Sequence, residues 1–233
     1  MKNKLFYTVI ACAVLLSFNA SAAYIMRGEL SPPTAWAVQV IEGGVKSCTG
    51  VAVSAKYILT ARHCVNSGAE VTVHYSTLGS NNLPANDGVK VAVKNIAFID
   101  NDHDIALLPL VKEHPLASYA QVSFDYDANQ GDTGLMMGYG PHDNVIYPQG
   151  TTTPLYQAKM TVQNQPRNIL WANADTGSCN PGDSGGPLII GNKVVAVTSG
   201  MEIDTSKFGR CGYAAIRDQF SDHKSWFNAV LKK

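Results

Sequence analysis

The sequence has no net charge and few charged residues. Lys and Arg together number 18, Asp and Glu also number 18, and charged residues make up only 15% of the chain. Proteins that bind nucleic acid or an anionic membrane usually concentrate positive charge on one face. The balance of charge therefore argues against nucleic acid and membranes as partners.

Apolar runs long enough to span a membrane comfortably are also lacking. One mostly apolar stretch, residues 5–18, follows Lys2 and Lys4 and precedes Ala-Ser-Ala at residues 20–22. A basic start, a short apolar core and a small-x-small end are typical of a secretory signal peptide. The sequence predicts a cleaved signal over residues 1–22, and hence a secreted or periplasmic protein.

Cysteine is scarce. Of the five cysteines, Cys12 lies in the predicted signal, which leaves Cys48, Cys64, Cys179 and Cys211. An even number in an exported chain points to disulfides rather than to a metal site. Four cysteines allow three pairings, and spacing alone does not choose among them. We expect no metal and no cofactor.

Helical periodicity is rare before the C-terminus. Short runs rich in β-branched and aromatic residues, separated by Gly-containing turns, instead indicate a sandwich or barrel of short strands. The predicted strands fall into two sets, at residues 37–41, 49–53, 57–60, 71–75 and 89–93, and at residues 134–137, 155–162, 169–173, 187–190 and 194–199. An amphipathic helix is predicted over residues 221–232.

Residues 182–187, Gly-Asp-Ser-Gly-Gly-Pro, form the most informative motif. Flanking glycines let the backbone adopt positive φ and approach another chain closely. Two amides near Ser184 could then bind the oxygen of an attacked carbonyl. Because a serine hydroxyl is a weak nucleophile, this interpretation also requires a histidine base and a carboxylate that orients it.

Two upstream motifs supply those groups. Residues 60–64 read Thr-Ala-Arg-His-Cys, and residues 102–108 read Asp-His-Asp-Ile-Ala-Leu-Leu. With all three motifs in view, the chain resembles the chymotrypsin-like (trypsin-like) serine peptidases, of a bacterial secreted type. That family's motifs are Thr-Ala-Ala-His-Cys, Asp-Ile-Ala-Leu-Leu and Gly-Asp-Ser-Gly-Gly-Pro, in this order. Arg62 is the one departure.

The resemblance implies an all-β fold of two six-stranded antiparallel β-barrels with a C-terminal α-helix. The N-terminal barrel would span residues 25–120, and the C-terminal barrel with the helix would span residues 121–233. His63, Asp104 and Ser184 would be the catalytic residues of a serine endopeptidase that acts on peptides or proteins. The backbone N–H groups of Gly182 and Ser184 would form the oxyanion hole.

The resemblance also implies pairings. Cys48 would bond to Cys64, and Cys179 to Cys211. Removal of a short propeptide, residues 23–24, would free the amino group of Ile25 to pair with the Asp183 carboxylate. An activating protease and an inhibitor are therefore further candidate partners.

Specificity is predicted from five substrate-binding positions. Ser199 would support the catalytic aspartate, and Gly200 and Met201 would follow it along an edge strand that pairs with the substrate. Gly177, next to Ser178, stands where trypsin carries an aspartate, which argues against cleavage after Arg or Lys. Met201 should narrow the pocket, so we expect cleavage after small or medium apolar residues.

Two other interpretations remain open. The chain could be a catalytically silent binding protein on the peptidase fold. Residues 182–186 also satisfy the Gly-x-Ser-x-Gly pattern of α/β-hydrolases, so an esterase using Ser184, Asp204 and His223 is a further alternative.

Overall fold

The computed structural model describes residues 28–75, 88–141, 152–202, 209–217 and 222–233. These residues form two seven-stranded antiparallel sheets and a C-terminal helix, α1 (His223–Leu231). In chain order the strands are β1 (Glu29–Leu30), β2 (Ala37–Glu42), β3 (Lys46–Ala52), β4 (Tyr57–Thr60), β5 (Val71–Tyr75), β6 (Val89–Lys90), β7 (Ala97–Phe98), β8 (Ala106–Pro109), β9 (Thr133–Gly138), β10 (Tyr156–Asn164), β11 (Ile169–Ala174), β12 (Pro187–Ile190), β13 (Lys193–Glu202) and β14 (Arg210–Ala215). The prediction of an all-β fold with a C-terminal helix is confirmed.

The first sheet has the strand order β6-β5-β2-β3-β4-β8-β7. Its two sides meet through the isolated bridge between Val91 and Leu110. The Ala92 amide donates to the Pro109 carbonyl, and the Val111 amide donates to the Lys90 carbonyl, each at 2.8 Å. A short bridge, rather than a continuous pair of strands, therefore closes this sheet, which differs from the regular six-stranded barrel that was predicted.

The second sheet closes fully. Its order is β1-β10-β11-β14-β13-β12-β9, and β9 also pairs with β10, so that six strands form a closed ring. Strand β1 lies outside this ring and pairs with β10 through Glu29 and Gln157. The predicted N-terminal unit began at residue 25, but the structure places β1 in the second sheet, because its partner strand lies there.

The two sheets pack against each other and against α1. Leu59 and Leu107 of the first sheet belong to one buried cluster with Val197 of the second sheet and with Phe227 and Val230 of the helix. Burying such side chains contributes about 1.5–3 kcal/mol each. This shared core fixes the crevice between the sheets, where β4, β8 and the segment before β12 converge.

This architecture excludes the α/β-hydrolase alternative. That fold requires a helix directly after its nucleophile, whereas Ser184 is followed by strand β12. Of the other two residues of that alternative, Asp204 lies outside the described residues, and His223 is buried at the first turn of α1. Within the described ranges, no helix is both long and apolar enough to cross a membrane.

Candidate active site

His63 lies in a single 3₁₀ turn, Arg62–Cys64, that directly follows β4. The disulfide between Cys48 and Cys64 joins this turn to β3. The side chain of His63 is 38% exposed. The imidazole is thus held on a rigid element, but one side of it faces the crevice.

Asp104 holds both the backbone and the ring of His63. The Asp104 Oδ1 atom accepts the His63 backbone N–H at 2.8 Å, and Oδ2 lies 2.6 Å from His63 Nδ1. Because an ionised carboxylate can only accept, Nδ1 carries the proton, and the neutral ring presents its lone pair at Nε2. This is the tautomer that a general base requires.

The environment keeps Asp104 ionised. Ser199, in β13, donates its hydroxyl to Asp104 Oδ2 at 2.7 Å. Burial by itself would raise the pKa of Asp104, but hydrogen bonds from His63 and Ser199 outweigh it, so the pKa lies below its ordinary value. The contact from Ser199 is the one that the family resemblance implied.

Ser184 lies in a tight turn packed against the first sheet. Its carbonyl accepts the Thr49 amide at 2.8 Å, and the next amide, of Gly185, donates to the Thr198 carbonyl at 2.7 Å. A Cβ atom at Gly185 would lie 2.0 Å from Thr60 Oγ1, and φ there is +81°. Glycine is therefore required for this close approach.

Ser184 and His63 both lie next to the Cys48–Cys64 disulfide. The Cys64 Sγ atom lies 3.6 Å from the Ser184 carbonyl oxygen and 4.0 Å from His63 Nε2. Within the described residues, the Ser184 hydroxyl makes no hydrogen bond to the imidazole. Such bonds are often long without substrate and tighten when it binds. The structure thus brings the three predicted residues to the crevice, with a hydrogen bond between Asp104 and His63.

The backbone on the N-terminal side of Ser184 is oriented by the first sheet. The Thr49 hydroxyl donates to the Gly182 carbonyl at 2.8 Å, and Gly182 adopts φ of +105°. Neither the Gly182 amide nor the Ser184 amide donates to an acceptor among the described residues. Both N–H groups are therefore available to an external oxygen, as an oxyanion hole requires.

Asp183 is fully buried behind Ser184. Its carboxylate accepts the amides of Gly140 and Asn180, each at 2.8 Å. Burial raises the pKa of Asp183 to about 8, although both backbone hydrogen bonds act to lower it. A Cβ atom at Gly138 would lie 2.0 Å from the carboxylate. The predicted partner, Ile25, lies outside the described residues.

A cleft of about 200 Å³ opens beside Ser184. Among the predicted substrate-binding residues, Gly200 and Met201 line it, whereas Gly177, Ser178 and Ser199 are not among its lining residues. The lining residues are Cys179, Asn180, Pro181, Ser184, Thr198, Gly200 and Met201. Sequence reasoning missed Asn180 and Pro181 as lining residues.

The cleft has an apolar wall and an open strand edge. The second disulfide, Cys179–Cys211, lies against it, and Cys211 is fully buried. The pairing of β13 with β12 ends at Val197, while its pairing with β14 continues to Glu202. One edge of β13 is therefore unpaired beside the cleft, and an extended peptide could add there.

One group of potential metal ligands lies in the described part of the chain, formed by Cys48, His63 and Cys64. Both sulfurs are consumed by the disulfide. Zinc and similar ions require thiolates, so this group cannot hold a metal through its cysteines.

The chain shows clear similarity to known proteases. A sequence profile of the trypsin family matches residues 25–222. Serine protease SP24D of Anopheles gambiae is 26% identical over 211 residues, which cover 84% of this chain and 76% of that protein. An uncharacterized peptidase of Corynebacterium glutamicum is 25% identical over 239 residues, 94% of this chain and 81% of that protein. Because the relatives come from insects and bacteria alike, they do not distinguish a bacterial type.

Solved structures show the same fold. Neuropsin, a serine protease of mouse brain, superposes with a TM-score of 0.68 at 19% identity, covering 88% of this chain and 99% of neuropsin. An inactivated protease paralogue of the scabies mite superposes with a TM-score of 0.71 at 17% identity, covering 88% and 98%. With the profile match, the three motifs and the chymotrypsin fold in agreement, the chain belongs to the trypsin family of serine proteases.

Proposed function

We propose that the protein is a serine endopeptidase that forms an acyl-enzyme on Ser184. The observation that carries this proposal is the Asp104 carboxylate, which holds both the backbone and Nδ1 of His63. That contact leaves Nε2 with a lone pair on the side of Ser184. A purely structural histidine would not need this tautomer.

The proposed reaction has two stages. His63 Nε2 takes the Ser184 hydroxyl proton as Oγ attacks the peptide carbonyl, and then gives it to the leaving amine as the peptide bond breaks. A water molecule, deprotonated by the same nitrogen, next attacks the ester carbonyl, and the bond from that carbon to Ser184 Oγ breaks as Nε2 returns the proton to Oγ, which releases the product acid. Asp104 stays ionised throughout and stabilises the imidazolium.

The oxyanion of each tetrahedral intermediate would be held by the amides of Gly182 and Ser184. Support comes from Thr49, which holds the Gly182 and Ser184 carbonyls, and from the two amides, which donate to no acceptor among the described residues. Removing one such donor typically costs about 10²–10³ in rate.

The cleft beside Ser184 supports cleavage after small or medium apolar residues. It offers about 200 Å³ and no charged side chain among its described lining residues. Met201 stands on its rim and is 36% exposed. A hydrophobic pocket discriminates by only about 1–3 kcal/mol for each methylene, so the preference should be graded.

Export and activation complete the proposal. The protein would be secreted or periplasmic after loss of residues 1–22, and the freed amino group of Ile25 would enter the Asp183 site. The glycines around the Asp183 carboxylate and its full burial support this, because a buried carboxylate is costly unless a cation joins it.

The test is labelling of the purified exported protein with a fluorophosphonate, followed by rates on peptides with Ala, Val, Leu, Phe, Arg or Glu before the cleaved bond. Labelling at Ser184 that is lost in Ser184→Ala and His63→Ala supports the peptidase. A folded chain that starts at Ile25 and does not label would instead establish the catalytically silent binding protein. A dominant Arg signal would overturn the specificity.

A further inference from the structure

Arg62, the single departure from the histidine motif, reaches across to the loop that precedes Asp104. Its guanidinium donates to the Asp100 carbonyl and, at 3.0 Å, to Asn101 Oδ1. The same group lies over the ring of Phe98, 4.9 Å from its centroid. A side chain next to His63 thus contacts the last residue of β7 and two residues of the loop that follows it.

Hydrogen bonds within the loop link these contacts to the residue before Asp104. The Asp100 carboxylate accepts the amides of Asp102 and His103, each at 2.8 Å, and the His103 ring nitrogen Nδ1 lies 2.7 Å from it. Any displacement at Asp100 is therefore transmitted to the residue before Asp104. Asp104 then contacts the backbone and ring of His63.

We infer that Arg62 is a positioning residue that sets the distance between His63 and Asp104. The turn carrying His63 and the loop carrying Asp104 are joined at two places, by the Arg62 guanidinium at one end and by the Asp104 carboxylate at the other. The Arg62 contact fixes the distance between the turn and the loop, and the contact between Asp104 and His63 forms at that distance. A displacement of about 1 Å at such a site can cost about a hundredfold in rate.

The chemistry of the contacts explains why arginine suits this position. Its described hydrogen-bond partners are a backbone carbonyl oxygen and a side-chain amide oxygen. A planar guanidinium can stack on Phe98 and donate in its own plane at the same time. Lysine could reach the Asp100 carbonyl, but its ammonium could not satisfy all three contacts.

Two measurements on Arg62→Gln, Arg62→Lys and a matched surface control, Arg167→Gln, test the inference. The first is the downfield proton NMR resonance of His63 Nδ1–H, recorded in a Ser184→Ala background and assigned by its loss in His63→Ala. The second is the fluorophosphonate labelling of Ser184, separated into a maximal rate constant and a half-saturating concentration. The kinetic measurement rests on the proposed peptidase function, whereas the resonance does not require activity.

We expect Arg62→Gln to weaken or abolish the resonance and to lower the maximal labelling rate constant at least about tenfold, with less than a twofold change in half-saturation. Arg62→Lys should retain part of both signals, and Arg167→Gln should retain all of both. An Arg62→Gln protein with the full resonance and a labelling rate within twofold of wild type would overturn the inference.

The remaining outcomes also test the inference about Arg62. Should Arg62→Gln fail to fold by circular dichroism, an Arg62→Lys protein with an undiminished resonance would overturn the inference, and a diminished one would support it. Should the unaltered protein fail to label, the proposed function would fall, while the resonance would still report on Arg62.

Discussion

Asp183 offers a direct test of how the protein is activated, through the pH dependence of stability. Burial raises its pKa from 3.8 to about 8, although hydrogen bonds from two backbone amides lower it. An acid with a raised pKa in the folded state binds its proton more tightly than the unfolded chain does. Stability is therefore complete below pH 4 or so and is lost as pH rises toward about 8.

The expected loss of unfolding free energy is large. A difference of about four pH units, at 1.36 kcal/mol for each, corresponds to about 6 kcal/mol of unfolding free energy above pH 8. A domain is typically stable by only about 5–15 kcal/mol in total. A chain whose Asp183 lacks a cation should therefore become strongly destabilised between pH 5 and about 8.

An amino group at Ile25 should remove this loss. Paired with Asp183, it would hold the carboxylate ionised across the same range. Pairing with Asp183 in turn raises the pKa of the Ile25 amino group. The stability that this group contributes is therefore present at neutral pH and is lost only as pH rises through the raised pKa. The chain that starts at Ile25 should thus keep its stability up to about pH 8, near the ordinary pKa of an α-amino group.

The assay compares two purified chains, one starting at Ala23 and one at Ile25, both carrying Ser184→Ala so that neither digests itself. Urea unfolding followed by tryptophan fluorescence gives the free energy at each pH from 5 to 9. Asp183→Asn is the control, since it should flatten the profile of the Ala23 chain and destabilise the Ile25 chain at neutral pH. Equal slopes for the two starting chains would refute the reasoning.

Three further variants probe the cleft, the histidine support and the buried carboxylate. Met201→Gly should open the cleft and raise the relative rate on Phe peptides by about tenfold, measured as kcat/KM against Ala peptides. Ser199→Ala removes a hydrogen bond to a charged group, so it should raise the pKa of Asp104 and slow labelling about tenfold, more at low pH. Gly138→Ala places a Cβ 2.0 Å from the Asp183 carboxylate, and the unfolding free energy should fall by about 3 kcal/mol.

Each variant has its own control. Gly200→Ala adds a Cβ with no atom within 4 Å and should leave the unfolding free energy unchanged, in contrast to Gly138→Ala. Ser199→Thr keeps a hydroxyl and should recover part of the labelling rate. If Met201→Gly raised Arg and Phe rates equally, side-chain size at the rim would not be what selects the substrate.

The strands were predictable where their signals are local. Strands β4, β5 and β12 have the bounds that were predicted, because β-branched runs end there at turn residues. Strand β14 was not predicted. Its burial comes from pairing on both sides, with β13, the preceding strand in the chain, and with β11, which lies much earlier in the sequence.

The candidate site likewise contains residues that local motifs identified and contacts that the sequence did not predict. The three motifs identified His63, Asp104 and Ser184, because each motif combines a reactive side chain with the turn or strand that presents it. The contact between Ser199 and Asp104 was predicted from the family resemblance. The three contacts of Arg62 had no such signal, since they depend on how a loop folds back over the histidine turn.

What distinguishes a peptidase from a silent relative in this family is a small set of atoms rather than the fold. An inactivated protease paralogue shares the fold of this chain, so the architecture is compatible with both. The oriented imidazole and the two amides beside Ser184 are the groups that the proposed peptidase reaction would use. In that reaction the Ser184–His63 hydrogen bond would form when a substrate or probe enters the crevice. Covalent labelling of Ser184 that depends on His63 would therefore distinguish a peptidase from a silent binding protein. Similarity of fold does not make that distinction.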